Sequence, residues 1–349
     1  MSDLEKILQL TRKKLEKNKF VDIHMAGDPG IASFVPFPYP TGLAELDYHF
    51  GGKCGLPAGK MIEYYGLPAS GKTTLSYHAI VECQKLGGLA LFVDSEQSFD
   101  EERAQTIGVN MKNLSVASTD TIESIFNTIE EFLASVSESK FNGPVIVVVD
   151  SITGVPTEFD IEQDMTQEGR IGQEAKQIRR GVRRLQGMLS KTKALVIFIN
   201  HAVSKMTTMP YAKKTQAAGG YGIKFMEFIR LELKTTGQLK EGTGDDAMRI
   251  GQKVGFEIEK LKNAALPYPK IEEIQLLANG FDKITSLLNA GVKTNWIGKK
   301  SKLVYTLLDK QFDKDEWPQV IAGIGGYDTA YKSWKEHGIE TGALIPWGA

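Results

Sequence analysis

Residues 66–73 combine two glycines, a lysine and a threonine at a spacing that suits phosphate binding. They read Gly-Leu-Pro-Ala-Ser-Gly-Lys-Thr, which matches the P-loop pattern G-x-x-x-x-G-K-[ST]. Glycines let backbone N–H groups surround the phosphates, Lys72 reaches the β/γ-phosphates, and the Thr73 hydroxyl binds Mg²⁺. The alternative is a glycine-rich turn without a ligand. The candidate nucleotide-binding residues are Gly66, Leu67, Pro68, Ala69, Ser70, Gly71, Lys72, Thr73 and Thr74.

Asp150 follows a run of apolar residues, 145–149, that we predict to be a buried strand. In open α/β sheets ligands collect outside the carboxyl ends of the strands, which is where such an aspartate would lie. An apolar strand that ends in aspartate is common, but after a P-loop it indicates a second nucleotide-binding motif whose carboxylate holds Mg²⁺. We therefore predict that Thr73 and Asp150 hold the metal ion.

Two further predicted strands end in residues that could act on the terminal phosphate. Glu96 follows the strand at 89–94 and is the candidate general base for an attacking water. Its alternative role is to cap the helix that starts near Asp100. Asn200 and His201 follow the third apolar strand and could sense the γ-phosphate, although His201 could also be an ordinary loop histidine.

Positive charge is concentrated between residues 170 and 193, which hold eight basic residues and one acidic residue. The whole chain has a formal net charge of −1, so this is a strong local excess. A charged helix face usually meets only solvent. Here, however, the basic residues would repel one another unless a polyanion were bound, and we therefore predict contacts to DNA phosphates. Residues 202–218 follow without an acidic residue or a regular pattern, and long loops of this kind are usually functional or disordered.

Length and composition set the class of protein. The chain has 349 residues, and its two cysteines, Cys54 and Cys83, indicate neither a disulfide framework nor a metal site. Residues 1–19 are too charged for a signal peptide, and no apolar run approaches the ~20 residues of a membrane-spanning helix. We therefore expect a soluble cytosolic protein that does not bind membranes.

The elements that must position these residues alternate between strands and helices. Continuous apolar runs at 89–93, 145–149 and 195–199 are typical of strands buried on both faces by helices. The last predicted strands follow one another without helices, which favours an antiparallel end of the sheet. The predicted strands are 61–65, 89–94, 114–117, 144–150, 194–199, 228–234, 253–260 and 271–277. The predicted helices are 2–18, 73–86, 100–107, 121–138, 170–191 and about 281–290.

The chain divides into three predicted regions. Residues 1–33 contain an amphipathic helix and a linker, and this helix packs either on a neighbouring subunit or on its own domain. Residues 34–277 carry the alternating strands and helices. Residues 278–349 contain all four tryptophans and are predicted to form a small C-terminal domain.

Over about residues 34–290 the motifs resemble, in order, those of the RecA family of homologous-recombination ATPases, in its bacterial and UvsX-like phage branches. So many motifs in one order make the resemblance specific. It implies an α/β fold with a RecA-like P-loop ATPase core, a mixed and mainly parallel sheet, an N-terminal oligomerisation helix and a small C-terminal domain. The matching segments are 41–47, 55–60, 63–73, 94–96, 148–151, 198–200, 219–220, 224–225 and 264–268.

The resemblance also implies roles in catalysis. Glu96 matches the family's catalytic glutamate, and Lys260 and Lys262 resemble paired cations that reach the γ-phosphate bound by the neighbouring subunit. Their spacing puts both lysines on one face of a strand. The alternative is that they are surface lysines opposite Glu257 and Glu259. The catalytic candidates are Glu96, Lys72, His201, Lys260 and Lys262.

Two DNA-binding loops are implied at about residues 158–172 and 201–218. Arg103 stands where the family has an aromatic residue on the adenine, and a guanidinium can also stack on a base; Asp100 is the second candidate there. His201 stands where bacterial members have glutamine. The candidate DNA-binding residues are Arg170, Ile171, Gly172, Lys176, Arg179, Arg183, Lys205, Met206, Lys213, Lys214, Gly219 and Gly220.

The sequence thus predicts a DNA-dependent ATPase that uses ATP and Mg²⁺. We expect it to form helical homo-oligomeric filaments on single-stranded DNA, pair this with homologous duplex DNA and exchange strands. A ring helicase of the same fold and an ATP-gated scaffold that coats DNA are the alternatives, and joint-molecule formation separates the three. Single-strand-binding and mediator proteins are further candidate partners. The expected location is the cytoplasm, that of the bacterial host if the chain is phage-encoded.

Overall fold

The computed structural model describes residues 3–15, 35–162, 172–204, 215–218, 221–242, 247–263, 273–308 and 310–347. The strands are β1 Pro38–Tyr39, β2 Leu56–Pro57, β3 Met61–Gly66, β4 Leu89–Asp94, β5 Leu114–Ser118, β6 Val145–Asp150, β7 Leu195–Ser204, β8 Thr215–Ala217, β9 Ile229–Glu241, β10 Met248–Leu261, β11 Ile274–Leu277, β12 Gly280–Phe281, β13 Gly298–Lys299, β14 Val304–Leu307 and β15 Lys310–Asp313. The helices are α1 Asp3–Leu15, α2 Ala44–His49, α3 Lys72–Lys85, α4 Glu101–Ile107, α5 Ile122–Glu138, α6 Glu158–Glu162, α7 Gln173–Thr192, α8 Tyr221–Lys224, α9 Lys283–Lys293, α10 Trp317–Gly323 and α11 Tyr327–Glu340.

The main sheet has the strand order β12-β11-β10-β9-β3-β7-β6-β4-β5, with β8 paired to β7. The strands from β9 to β5 are parallel, whereas β10, β11 and β12 pair antiparallel. The prediction of a mixed, mainly parallel α/β sheet is therefore confirmed. The carboxyl ends of β3, β4, β6 and β7 lie side by side, as the predicted site requires.

Helices cover both faces of the parallel half of the sheet. On β6, Ile146 and Val148 face a core that contains residues of α3, while Val147 and Val149 face a second core built with α5 and α7. This two-sided burial explains why residues 145–149 are all apolar. All six residues of β6 are buried.

The antiparallel half departs from the prediction, because β9 and β10 are longer than the predicted strands at 228–234 and 253–260. Beyond Leu233, β9 no longer pairs with β3 and its side chains are mostly exposed. The extension is held by pairing with β10 and has no apolar run. A reading of hydrophobic patterns could not detect it, since exposed strands need no buried face.

The C-terminal part forms its own core around Trp317 and Trp334, and this core also includes Ala44 and Cys54 from the region of α2. Trp347 differs from these tryptophans, because it packs edge-on against Phe228 with ring centroids 5.5 Å apart and joins the core of the main sheet. The proposed boundary between residues 277 and 278 stays a prediction.

The N-terminal helix α1 has exposed apolar side chains. Ile7 and Leu10 are each 60% exposed, so they do not pack on the described part of their own chain. Among the described residues no helix combines the length and apolar character needed to cross a membrane.

Candidate nucleotide-binding site

The loop between β3 and α3 closes tightly, and its two glycines are required by close approaches. A Cβ atom on Gly66 would lie 2.3 Å from the carbonyl oxygen of Leu233. Gly71 has φ +94°, and a Cβ there would lie 2.9 Å from both Leu276 and Phe281. The antiparallel strands therefore press against the loop, and Gln252 of β10 donates a hydrogen bond to the carbonyl of Ala69 at 2.7 Å. This support from Gln252 was not predicted.

Lys72 lies inside the loop, with only 6% of its surface exposed. Its Nζ donates to the carbonyls of Gly66 and Leu67 at 3.1 and 3.0 Å. Burial lowers the pKa of Lys72, while the carboxylates of Asp150 and Glu96 oppose that shift. An anionic ligand would compensate the buried ammonium better than neutral carbonyls do.

Asp150, at the end of β6, accepts a hydrogen bond of 2.6 Å from the Thr73 hydroxyl at the start of α3. Burial raises the pKa of Asp150 to about 6, and the neighbouring Glu96 and Asp94 add to the shift. The predicted metal ligands Thr73 and Asp150 are thus in contact. Their hydroxyl and carboxylate oxygens are hard ligands of the kind that Mg²⁺ prefers.

Glu96, which lies just beyond the end of β4, contacts His201, which lies within β7. Their Oε1 and Nε2 atoms are 2.8 Å apart, and His201 Nε2 also lies 3.4 Å from the Ser151 hydroxyl. The helix-capping alternative for Glu96 is wrong, because Asp100 caps α4 by accepting from the backbone N–H of Arg103 at 2.8 Å. The structure therefore brings Glu96 and His201 to the same edge of the sheet as Lys72.

Arg103 and Asp100, the candidates near the nucleotide base, are partly engaged within the chain. The Arg103 guanidinium donates to the carbonyl of Leu277 at 3.2 Å, and Asp100 has the capping role described above. A contact of either residue with a nucleotide base stays a prediction.

A buried polar network connects β7, β3 and β9, and it was not predicted from the sequence. Asn200 donates to Glu63 Oε1 at 2.7 Å and to the carbonyl of Ala218 at 3.1 Å. Arg230 Nε donates to Glu63 Oε2 at 2.6 Å and lies 3.4 Å from Glu227. Burial raises the pKa of Glu63, and Arg230 opposes the shift. The available signal was the charged residues within otherwise apolar strands.

Lys260 and Lys262 do not approach the P-loop of their own chain. In the antiparallel pairing of β10 with β9, Lys260 lies opposite Arg230. Arg230 in turn lies opposite Glu63 in the parallel pairing of β9 with β3. The backbone N–H of Lys262 donates to the carbonyl of Phe228, and the N–H of Phe228 donates to the carbonyl of Met61. Met61 lies at the opposite end of β3 from Gly66. Met61 and Gly66 are separated by roughly 16 Å along the strand. The two lysines therefore lie towards the other edge of the sheet.

The basic segment forms the predicted helix, α7, and this helix is amphipathic. Its apolar side, including Ile178, Val182 and Leu185, is buried against α5 and the sheet. Lys176, Arg179, Arg180, Arg183 and Arg184 are exposed, and Arg184 forms an ion pair with Glu130 of α5.

Gly172 immediately precedes α7 with φ +86°. The remaining DNA-binding candidates lie outside the described residues, namely Arg170, Ile171, Lys205, Met206, Lys213, Lys214, Gly219 and Gly220.

Comparison with known proteins identifies relatives over most of the chain. Residues 5–282 match the family model for the RecA N-terminal domain. The chain is 33% identical to Protein RecA of Cytophaga hutchinsonii over 295 residues, which cover 84% of this chain and 79% of that protein. It is 33% identical to Protein RecA of Borrelia hermsii over 300 residues, covering 84% and 80%. It is 36% identical to Protein RecA of Symbiobacterium thermophilum over 257 residues, covering 73% and 69%.

Proposed function

The chain belongs to the RecA family, and from this premise we propose that it is a DNA-dependent ATPase that forms helical filaments on single-stranded DNA and catalyses homologous pairing and strand exchange. The observation that carries the proposal is the separation of two sets of groups on one sheet. Lys72, Asp150 and Glu96 lie at one edge, and Lys260 and Lys262 lie towards the other.

ATP and Mg²⁺ are the ligands that fit the first edge. The Ser70 hydroxyl is buried and has no hydrogen-bond partner among the described residues, and the buried Lys72 ammonium donates to the backbone carbonyls of Gly66 and Leu67. Both groups suit phosphate oxygens. Thr73 and Asp150 would hold Mg²⁺, and the bound metal neutralises charge on the phosphates.

Glu96 is the group proposed to take a proton from the attacking water. Its carboxylate lies just past the end of β4 and contacts His201, which leads into the predicted second DNA loop. We propose that His201 orients Glu96 and links it to that loop. Loss of a general base of this kind typically slows a reaction by about 10²–10⁴-fold.

The lysines require a second subunit. Lys260 and Lys262 lie too far along the sheet to serve their own P-loop, so they act on the nucleotide of a neighbour that stacks head to tail. A head-to-tail interface that does not close on itself generates a helical filament. The exposed Ile7 and Leu10 of α1 are proposed to pack on the adjacent subunit in the same assembly.

DNA is proposed to lie along the exposed basic face of α7 and the two flanking loops. Exposed cations such as Lys176, Arg179 and Arg183 would track the phosphates without reading base sequence. The same protein is proposed to act in the bacterial cytoplasm, which is that of the host if a phage encodes it.

One experiment tests the whole proposal. Protein, ATP, circular single strands and homologous linear duplex are mixed, joint molecules are scored on a gel, and the same sample is imaged by electron microscopy. We expect joint molecules and helical filaments that depend on ATP. Closed rings that unwind duplex DNA would instead identify a helicase, and coated DNA without joint molecules would identify a scaffold.

A further inference from the structure

The two lysines proposed to act on a neighbouring subunit are held by their own subunit. Lys260 Nζ donates to the carbonyl oxygen of Lys224 at 2.6 Å, and Lys262 Nζ donates to that of Phe225 at 3.3 Å. These carbonyls belong to the last residue of α8 and the residue after it. A hydrogen bond from a charged ammonium to a carbonyl oxygen is stronger than one between neutral groups.

A buried carboxylate strengthens this arrangement at Lys260. Glu227 is completely buried, and its Oε1 lies 3.4 Å from Lys260 Nζ and 3.4 Å from Arg230 Nε. Within the described part of the chain its Oε2 accepts no hydrogen bond. Burial and the neighbouring Glu63 raise the pKa of Glu227, whereas Arg230 and Lys260 oppose the shift. The two cations thus stabilise the charged form of Glu227, which in turn attracts Lys260.

The groups border a cavity of about 450 Å³, lined among others by Lys224, Glu227, Arg230 and Lys260. The side chain of Lys260 is 28% exposed. The cavity leaves room for this side chain to change direction without displacing the apolar core. Two positions of the lysine, one against α8 and one directed away from the subunit, are therefore compatible with the packing around it.

The chain connectivity gives this contact a second meaning, since α8 begins directly after Gly219-Gly220 at the end of the predicted second DNA loop. We propose that Glu227 is a positioning residue which, with the carboxyl end of α8, latches Lys260 on its own subunit until DNA at the preceding loop displaces α8. Release then lets the ammonium reach the nucleotide of the neighbouring subunit. The inference rests on the proposed function, because it assumes that Lys260 acts between subunits.

The latch makes the DNA dependence of hydrolysis sensitive to Glu227. The variant Glu227→Gln keeps the size of the side chain but removes the charge that attracts Lys260. ATP turnover at saturating ATP is measured with and without single-stranded DNA, at one protein concentration. We expect DNA-free turnover to rise about tenfold, the effect of losing one charge-assisted contact, while the DNA-saturated rate changes less than about twofold.

Three further variants make the result specific. Glu227→Gln combined with Lys260→Ala should show no rise, because the gain requires the released lysine. Glu257→Gln makes the same charge change on β10, at an exposed residue that contacts Lys234 at 2.5 Å, and should leave both rates as in the unmodified protein. Glu227→Asp withdraws the carboxylate from Lys260 while keeping the charge beside Arg230, and should raise DNA-free turnover by a smaller factor.

The outcomes separate the latch from the function on which it rests. If Lys260→Ala retains full DNA-stimulated turnover, Lys260 does not act between subunits and the proposed function loses this step. If Lys260→Ala abolishes turnover but a folded Glu227→Gln protein has unchanged or lower DNA-free turnover, only the latch is wrong. Should Glu227→Gln fail to fold, unchanged DNA-free turnover of the Glu227→Asp protein overturns the latch equally.

Discussion

The two edges of the central sheet differ in how complete they are. At the nucleotide edge, formed by the carboxyl ends of β3, β4, β6 and β7, residues from several strands already contact one another, as in the pairs Thr73–Asp150 and Glu96–His201. At the cation edge, formed by Lys260 and Lys262 near the end of β10, the ammonium groups contact carbonyls and a carboxylate of their own chain.

This difference indicates where assembly is needed. The nucleotide edge has groups for phosphate, metal and water, and Lys72 is the cation that lies inside its loop. The cation edge has two lysines and no P-loop. We propose that each edge completes the other when copies stack head to tail, so that the nucleotide joins two subunits.

The largest expected effect breaks the cation edge. Lys260→Ala with Lys262→Ala should leave folding and nucleotide binding intact, since neither lysine contacts the P-loop, and should reduce DNA-stimulated hydrolysis by about 10³–10⁵-fold, the contribution of a cation supplied between subunits. ATPase assays and nucleotide-binding titrations measure the two properties separately.

Mixing two inactive proteins then tests the comparison directly. A Lys72→Ala protein still offers both lysines to its neighbour, and the double-lysine variant still offers an intact nucleotide edge. Mixed filaments should regain part of the activity at those interfaces where two intact edges meet. If the proteins co-assemble and no activity returns, the lysines do not act across the interface.

The second prediction breaks the nucleotide edge without removing its binding groups. Glu96→Gln should retain ATP and DNA binding but slow turnover by about 10²–10⁴-fold, because the amide cannot take the proton of water. Glu102→Gln, at an exposed residue of the following helix, is the matched control and should behave as the unmodified protein. Near-normal turnover of Glu96→Gln would reassign Glu96 to a structural role.

The nucleotide edge could be predicted because its information is local. The P-loop is one continuous segment, and Asp150 and Glu96 follow apolar strands whose burial on both faces made them recognisable. The parallel strands were predicted to within a few residues for the same reason, apart from β7 and β9, which run on to Ser204 and Glu241.

The cation edge could not be predicted as a structure, because its contacts join residues that are distant in sequence. The bond from Arg230 to Glu63 spans 167 residues and that from Lys260 to Lys224 spans 36. Their positions depend on the antiparallel pairing of β9 with β10, which has a register shift between Ile258 and Lys260. Trp347 was likewise assigned with the C-terminal tryptophans, although its partner is Phe228 of the main core.

The third prediction concerns a contact between α3, the helix that follows the P-loop, and the antiparallel strands. His78 of α3 is 1% exposed, and its Nε2 accepts the backbone N–H of Phe281 at 3.0 Å. Burial lowers the pKa of His78 to about 3, and the cations Lys283, Arg103 and Lys85 add to the shift. The folded protein therefore keeps this histidine neutral, whereas the unfolded chain binds a proton below about pH 6.5.

The free energy of unfolding should consequently fall as the pH drops below about 6.5, and His78 should account for about 2 kcal/mol of that loss at pH 5. Urea unfolding at pH 7.5 and pH 5 measures the difference. His78→Gln keeps an acceptor for Phe281 and should lose about 2 kcal/mol less between the two pH values. An equal loss in both proteins would show that His78 is not the cause.

The smallest effect concerns the DNA surface, where two adjacent arginines of α7 provide an internal comparison. Arg183 is exposed and forms no ion pair with a described residue, while Arg184 is paired with Glu130. An unpaired arginine can neutralise a DNA phosphate, and each phosphate neutralised contributes about −0.7 to the slope of log affinity against log salt for single strands.

We expect Arg183→Ala to weaken single-strand binding several-fold for all sequences alike and to make the slope less steep by about 0.7. Arg184→Ala should change both quantities less, because Glu130 already offsets much of its charge. Fluorescence anisotropy with labelled oligonucleotides at several salt concentrations measures affinity and slope together. Equal effects of the two variants, or a slope unchanged by Arg183→Ala, would remove this helix face from the proposed DNA path.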